Sequence, residues 1–203
     1  MQKFSHLDGL NDQQKEGVEY GEGPLLLVAG AGSGKTKVLT SRIVNLIKVR
    51  KVFPNQILAV TFTNKAAKEM QIRVEKFLKK KFPGLNWLGT FHSVCAKILR
   101  KHANAVGLNY NFSIIDRDDQ IRLIKNICKA ENVDVKKISP NYILAVFDKW
   151  KNKGWYPNEV ILKKNDFIEK SFLKIYKIYQ TKLNDLNVCD FGDLILHCVK
   201  IFE

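Results

Sequence analysis

Fifteen residues, Leu25 to Leu39, constrain this 203-residue chain more than any other stretch. They read LLLVAGAGSGKTKVL. The apolar run Leu25–Val28 has the length of a buried parallel strand. A small-residue loop comes next: Ala29, Gly30, Ala31, Gly32, Ser33 and Gly34. Lys35 and Thr36 then open a segment with apolar residues at helical spacing, Val38, Leu39, Ile43, Leu46 and Ile47. Strand, glycine loop, Lys-Thr and helix form the order of a phosphate-binding loop. Glycines let backbone N–H groups turn onto phosphate oxygens, and the helix N-terminus adds a favourable dipole. The Lys35 ammonium can reach the β- and γ-phosphates, and the Thr36 hydroxyl can hold Mg2+ through the nucleotide. Ala29 departs from the usual pattern, which has glycine there. The plain alternative is an ordinary glycine-rich turn between a strand and a helix.

Two more apolar runs, Ile57–Phe62 and Trp87–Phe91, read as strands, with helical patterns around Val38–Val49 and Lys65–Phe77. This alternation predicts β-α-β units and a parallel sheet over residues 1–91. Residues 92–203 read as helix after helix. His92–Ala105 carries Val94, Ile98 and Leu99. Asp116 is an N-cap before Ile121, Ile124 and Ile127. Ser139-Pro140 is a cap with a first-turn proline. Asn165 could cap a helix whose stripe is Ile168, Phe172, Ile175, Tyr176, Tyr179 and Leu183, and Asp190 starts the last helix. The aromatic stripe is expected to be core.

No apolar stretch approaches the roughly 20 residues that cross a membrane, and the N-terminus lacks a signal-peptide core. Cys95, Cys128, Cys189 and Cys198 are scattered without a C-x-x-C pair, as expected of reduced cytoplasmic thiols. His92 and Cys95 make half a metal site with no second half. The net charge of +14 points to a polyanion such as a nucleic acid. Only six of the 34 basic residues are arginine, so part of this excess is ordinary lysine surface. Lys79-Lys80-Lys81 reads as a solvated helix end.

Asn11-Asp12-Gln13-Gln14 precedes the first strand. Local spacing favours a capping box between Asn11 and Gln14. The competing reading makes the Gln14 amide a reader of an adenine edge. The second strand ends in Phe62, Thr63, Asn64 and Lys65, and the third in Thr90, Phe91 and His92. Ligands of open α/β sheets bind at such carboxyl ends. Phe62 could stack on a base while its polar neighbours hold phosphates. Each end could instead pack its aromatic inward. Two alike on neighbouring strands suggest one groove.

The segments LNDQQ, AGAGSGKT, AVTFTNKAAKEM, GTFHS and DFGDLIL, in this order, resemble the UvrD/Rep/PcrA-like DNA helicases of superfamily one. The resemblance runs over nearly the whole chain. It implies a P-loop RecA-like parallel sheet, partly present in residues 1–91, and a mostly helical insertion in residues 92–203. It implies ATP and Mg2+ as cofactors, bound by Gln14 and by Ala29 through Lys37, with Gln14 reading adenine and Lys35 and Thr36 serving catalysis. It implies that Phe62–Lys65 and Thr90–His92 face single-stranded DNA, that duplex junctions are substrates, and that movement runs three-prime to five-prime. The resemblance leaves repair, replication restart and plasmid replication open as the pathway. Two departures stand out. Lys37 replaces an arginine that stacks on adenine in many relatives. The family's acidic DExx motif, second RecA-like domain and arginine finger are not found, so the chain looks like the N-terminal part of a longer enzyme and is expected to lack ATP turnover by itself.

Two other classes compete. Phe112–Asp116 has the shape of a metal-binding strand end, and with Asp116 on Mg2+ the chain would be a compact P-loop kinase or NTPase. A DNA-binding module with a relict loop is the third. Asp190-Phe191-Gly192 spells the protein-kinase DFG, but no kinase glycine loop or H-R-D accompanies it.

Overall fold

The computed structural model describes residues 5–30, 32–78, 85–133, 138–162 and 167–203. The chain divides into two compact units, residues 1–94 and 95–203. Lys79-Lys80-Lys81, Ala31 and Asn165 lie outside the described residues.

The first unit alternates helices and short strands: α1 (Asp12–Glu19), α2 (Lys35–Lys48), β1 (Ala59–Thr61), α3 (Asn64–Leu78), β2 (Leu88–Thr90) and the start of α4 (Phe91–His102). β1 and β2 pair in parallel, with Ala59 opposite Leu88 and Thr61 opposite Thr90. The connection through α3 makes them a β-α-β unit. Ile43 and Val44 of α2, Ala67, Met70 and Val74 of α3, and Ala59 and Leu88 of the strands form its core. The strands are shorter than the apolar runs that predict them. Ile57 closes a 3-10 turn over Pro54–Gln56, and Phe91 already belongs to α4.

Leu25–Val28 departs further from expectation. Among the described residues no strand pairs with it, and Leu26 and Val28 are 85% and 90% exposed. A parallel strand exists through ladders to its neighbours and burial of both faces. Composition supplied the apolar side chains, but this run has neither of those.

The second unit holds the rest of α4, then β3 (Ser113–Ile114), α5 (Arg117–Ala130), α6 (Pro140–Lys151), α7 (Phe167–Asp185), β4 (Val188–Cys189) and α8 (Phe191–Phe202). Its start signals act as expected. Asp116 accepts from the Asp119 N–H at 2.9 Å, and Ser139 accepts from Tyr142 N–H at 3.3 Å. Phe172, Ile175, Tyr176, Tyr179 and Leu183 are core, packed with Phe147 and Trp150 of α6. Ile168 is not: it is 58% exposed, so the buried stripe begins one turn later than the pattern predicts. The parallel pair β3–β4 was not anticipated, since two-residue strands are too short to show alternation.

A buried ionic cluster fastens α6 to α8. Lys151 Nζ donates to Asp190 Oδ2 at 2.5 Å and lies 2.7 Å from Asp193 Oδ1. All three side chains are 3% exposed or less. Asp190 and Asp193 also form the capping box of α8. Tyr179 donates to Asp190 at 2.9 Å, and Gln180 to Asp193 at 3.1 Å. Gly192 is dictated by this packing, because a Cβ there would stand 2.9 Å from Lys151 Cδ. The D-F-G triplet is thus a cap followed by a clearance.

Burial disfavours the Lys151 charge, but the Asp193 and Asp190 carboxylates outweigh it and hold its pKa above the ordinary lysine value. Burial also pushes Asp190 up, yet the Lys151 ammonium and the capping N–H keep it below the usual range. Asp193 is raised by complete burial and by the Asp190 charge. His197, hydrogen-bonded to the Tyr156 hydroxyl, is depressed by burial. The four cysteines are free thiols, and among the described residues no cluster could hold a metal ion. No described helix is long and apolar enough to cross a membrane.

Candidate functional site

The loop between Val28 and α2 is shaped by two left-handed glycines, Gly32 (φ 73°) and Gly34 (φ 84°). Residues with a Cβ avoid this region, so glycine is required twice. Gly34 is the N-cap of α2, whose first turn carries no acidic residue. The free N–H groups of that turn face the loop's end, as in any helix start. Ser33 folds the loop on itself, with its hydroxyl donating to Gly30 O at 2.6 Å. Lys35 reaches back over the loop and donates to Ala29 O at 2.8 Å and Gly30 O at 2.6 Å. A cation aimed at solvated carbonyls beside a helix N-terminus is a fit for a phosphate chain, whose oxygens can take the place of those carbonyls. Thr36 is exposed next to it.

Gln14 meets the loop from α1, where its side chain makes two contacts. Gln14 Oε1 accepts from Asn11 N–H at 3.0 Å while Asn11 Oδ1 accepts from Gln14 N–H at 2.8 Å, a complete capping box. The other end of the amide, Nε2, donates to Ser33 O at 2.9 Å. An amide offers both a donor and an acceptor end, so one glutamine caps α1 and touches the glycine loop at once. Lys37 points the other way and donates to Gly9 O at 2.7 Å.

A cavity of about 430 Å³ opens beside these groups, lined in part by Gln14, Leu27, Val28, Ser33, Lys35 and Arg42. Among the described residues no carboxylate lines it. Arg42 escaped the reading of the sequence. It donates to Gly17 O at 3.0 Å and Tyr20 O at 3.1 Å, closing the end of α1. Its signal was its place seven residues after Lys35, which puts both on one face of α2.

The expected DNA-facing residues gather at the carboxyl ends of β1 and β2. Phe62 is 95% exposed and Phe91 is 48% exposed, with ring centroids 6.4 Å apart. Thr63 Oγ1 accepts from Ala66 N–H at 3.1 Å, and Thr90 Oγ1 accepts from Ser93 N–H at 3.2 Å. Each threonine therefore starts the helix that succeeds its strand. Asn64, Lys65 and His92 are exposed alongside. Gly89 lets the second of these turns close, since a Cβ there would collide with Ser93 Oγ. Asp116 does not have the setting of a metal-binding acid. Its strand pairs with β4 rather than with β1–β2, and its carboxylate is spent on capping α5.

Among known proteins, the UvrD/REP helicase N-terminal domain matches residues 10–203. An ATP-dependent DNA helicase PcrA of Bacillus subtilis is 46% identical over 199 residues, covering 97% of this chain and 26% of the relative. The protein of the same name from Staphylococcus epidermidis is 44% identical over 194 residues, covering 96% and 26%. A probable DNA helicase II homolog of Rickettsia conorii is 46% identical over 206 residues, covering 100% and 31%. The chain thus spans 26% to 31% of the length of these relatives. On the match over nearly all its residues, the chain belongs to the UvrD/REP helicase N-terminal domain family.

Proposed function

We propose that this chain is the ATP-binding, single-strand-contacting N-terminal part of an ATP-dependent DNA helicase. In this reading residues 1–91 are part of a RecA-like domain and residues 92–203 an inserted helical subdomain. One observation carries it: β1 and β2 end in register with two exposed phenylalanines side by side, in the unit that also holds the phosphate loop. Folding gains nothing from a phenylalanine 95% in solvent, whereas a base stacked on it gains contact.

ATP binding replaces the carbonyls of Ala29 and Gly30 with phosphate oxygens around Lys35. The Thr36 hydroxyl would hold Mg2+, which would supply charge neutralisation at the phosphates. Gln14 reads adenine with the amide end that now touches Ser33. Phosphoryl transfer also needs a metal-holding carboxylate and, in most cases, an arginine finger. Among the described residues the cavity has no carboxylate, so these 203 residues are expected to bind ATP without steady-state turnover. In the whole enzyme, closure against a second RecA-like domain would complete the site and drive three-prime-to-five-prime movement along the strand toward a duplex junction.

Anisotropy titration with single-stranded DNA at two salt concentrations tests the reading. Phe62→Ala is expected to weaken binding by ~1–3 kcal/mol with an unchanged salt slope. Lys65→Ala is expected to lower that slope by about one. If Phe62→Ala is silent and any surface lysine matters as much as Lys65, the strand ends are not the DNA face. Diffuse attraction to the +14 surface then explains the binding.

A further inference from the structure

Lys37 is in the wrong place for helix stability. It lies in the first turn of α2, where the macrodipole disfavours a cation, and no acidic residue shares that turn. Lys35 has a reason to stand there, since it lies over the phosphate loop. Lys37 is turned away from the loop, and its ammonium donates to Gly9 O, 28 residues earlier, at 2.7 Å. Gly9 is shaped for this contact. Its φ of +69° is left-handed, and a Cβ on it would stand 2.9 Å from Lys37 Nζ.

The two residues after Gly9 give the strut its purpose. Leu10 is buried against Val18 and Val38, and Asn11 is the N-cap of α1. Asn11 N–H holds Gln14 Oε1, and Gln14 Nε2 holds Ser33 O. The contacts close a ring: Lys37, Gly9, Asn11, Gln14, Ser33, and back through Gly34 to Lys37. Gly34 belongs to it sterically, because a Cβ there would press to 3.3 Å from Gln14 Nε2. Without the Lys37 strut, the segment before α1 keeps its Leu7 and Leu10 packing and the hydrogen bond of His6 with Asn45 of α2, while between Asn11 and the loop, among the described residues, only the Gln14 side chain remains.

We propose that Lys37 is a positioning residue that fixes the Gln14 amide relative to the phosphate loop and so sets the preference for an adenine base. The inference rests on the nucleotide-binding reading of that loop. It assigns Lys37 a role through Gly9 and Gln14 rather than on phosphate or base.

Binding of ATP, GTP and inorganic tripolyphosphate to the purified protein tests it, in wild type, Lys37→Met, Gln14→Ala, the double variant and Lys37→Arg. Lys37→Met is expected to weaken ATP about fivefold to tenfold, the worth of one charge-assisted hydrogen bond, and to leave tripolyphosphate unchanged. Gln14→Ala should do the same, and the double variant should be no worse than either single one. Lys37→Arg keeps a donor and should retain the ATP preference. Gly9→Ala breaks the same contact from the other side and should reproduce Lys37→Met, with melting curves confirming folded protein. Equal losses for ATP and tripolyphosphate, or additive losses in the double variant, overturn the positioning role and leave Lys37 a simple charge. Wild type that binds tripolyphosphate as tightly as ATP overturns it while the phosphate loop stands. Wild type that binds none of the three overturns both readings together.

Discussion

Lys35 in the first unit and Lys151 in the second are the same side chain put to opposite uses. Lys35 is exposed and donates to two backbone carbonyls at 2.8 and 2.6 Å. Lys151 is 1% exposed and sits between two carboxylates at 2.5 and 2.7 Å. The partners of Lys35 are neutral and wet, so a more strongly charged acceptor can displace them at little cost. The partners of Lys151 are buried and charged, and nothing from solution can take their place. The contrast is what the nucleotide-binding reading expects: an exchangeable cation for a ligand, an enclosed and matched one for the fold.

The largest test of that contrast is Lys151→Met. It leaves two buried carboxylates without their cation, a defect that costs about 3–5 kcal/mol. Urea denaturation should show it, with the triple change Lys151→Met, Asp190→Asn, Asp193→Asn recovering much of the loss because the cap of α8 survives. A drop under ~1 kcal/mol would mean the cluster is solvated after all. Lys35→Ala should do the reverse: fold stability unchanged, nucleotide affinity lower by ~1.5–3 kcal/mol. Calorimetric titration with ATP gives the answer, and unchanged affinity removes the phosphate loop from the site. It also separates ATP-binding readings from a DNA-binding module with a relict loop.

Alkali sharpens the comparison by a smaller step. Lys151 titrates above its ordinary value of 10.5, held there by carboxylates that overcome its burial. Its contribution is therefore complete below that value and disappears as pH rises through the folded one. Burial likewise raises Tyr156, Tyr176 and Tyr179 above their ordinary value of 10.0, so the unfolded chain ionises first. Both effects have the same sign: stability of the second unit falls from about pH 10 upward, by about 1.4 kcal/mol for each unit separating folded and unfolded values of one group. Near-ultraviolet circular dichroism of the buried tyrosines tracks it, and a flat profile to about pH 12 counts against the cluster. The smallest effect belongs to Phe62→Ala, which should change folding stability by less than about 0.5 kcal/mol, as expected for a solvent-facing residue, despite its expected effect on DNA binding.

Local signals were legible and long-range ones were not. Asp116, Ser139 and Asp190 announced their helices because a cap and its N–H are three residues apart. The glycine loop before α2 was legible for the same reason, its glycines and Lys35 being neighbours in sequence. Lys151 and Asp190 are 39 residues apart, and no periodicity links them. The contact of Gln14 with Ser33, 19 residues away, was hidden for the same reason, while its capping box with Asn11 was legible. Leu25–Val28 has the composition of a strand, but composition cannot supply the neighbours that make one.

Those four apolar residues bear on how the chain behaves at high concentration. Leu25–Val28 lies against solvent, with Leu26 and Val28 almost wholly uncovered. An apolar run with open backbone groups is a template on which another copy can add. The +14 charge keeps copies apart at low ionic strength. Added salt screens that repulsion within a few ångströms at molar levels and strengthens apolar association when the salt is a kosmotrope. Leu27 and Val28 also wall the cavity beside Lys35. On the nucleotide-binding reading, a ligand seated there is expected to compete with self-association and so to act as a solubiliser.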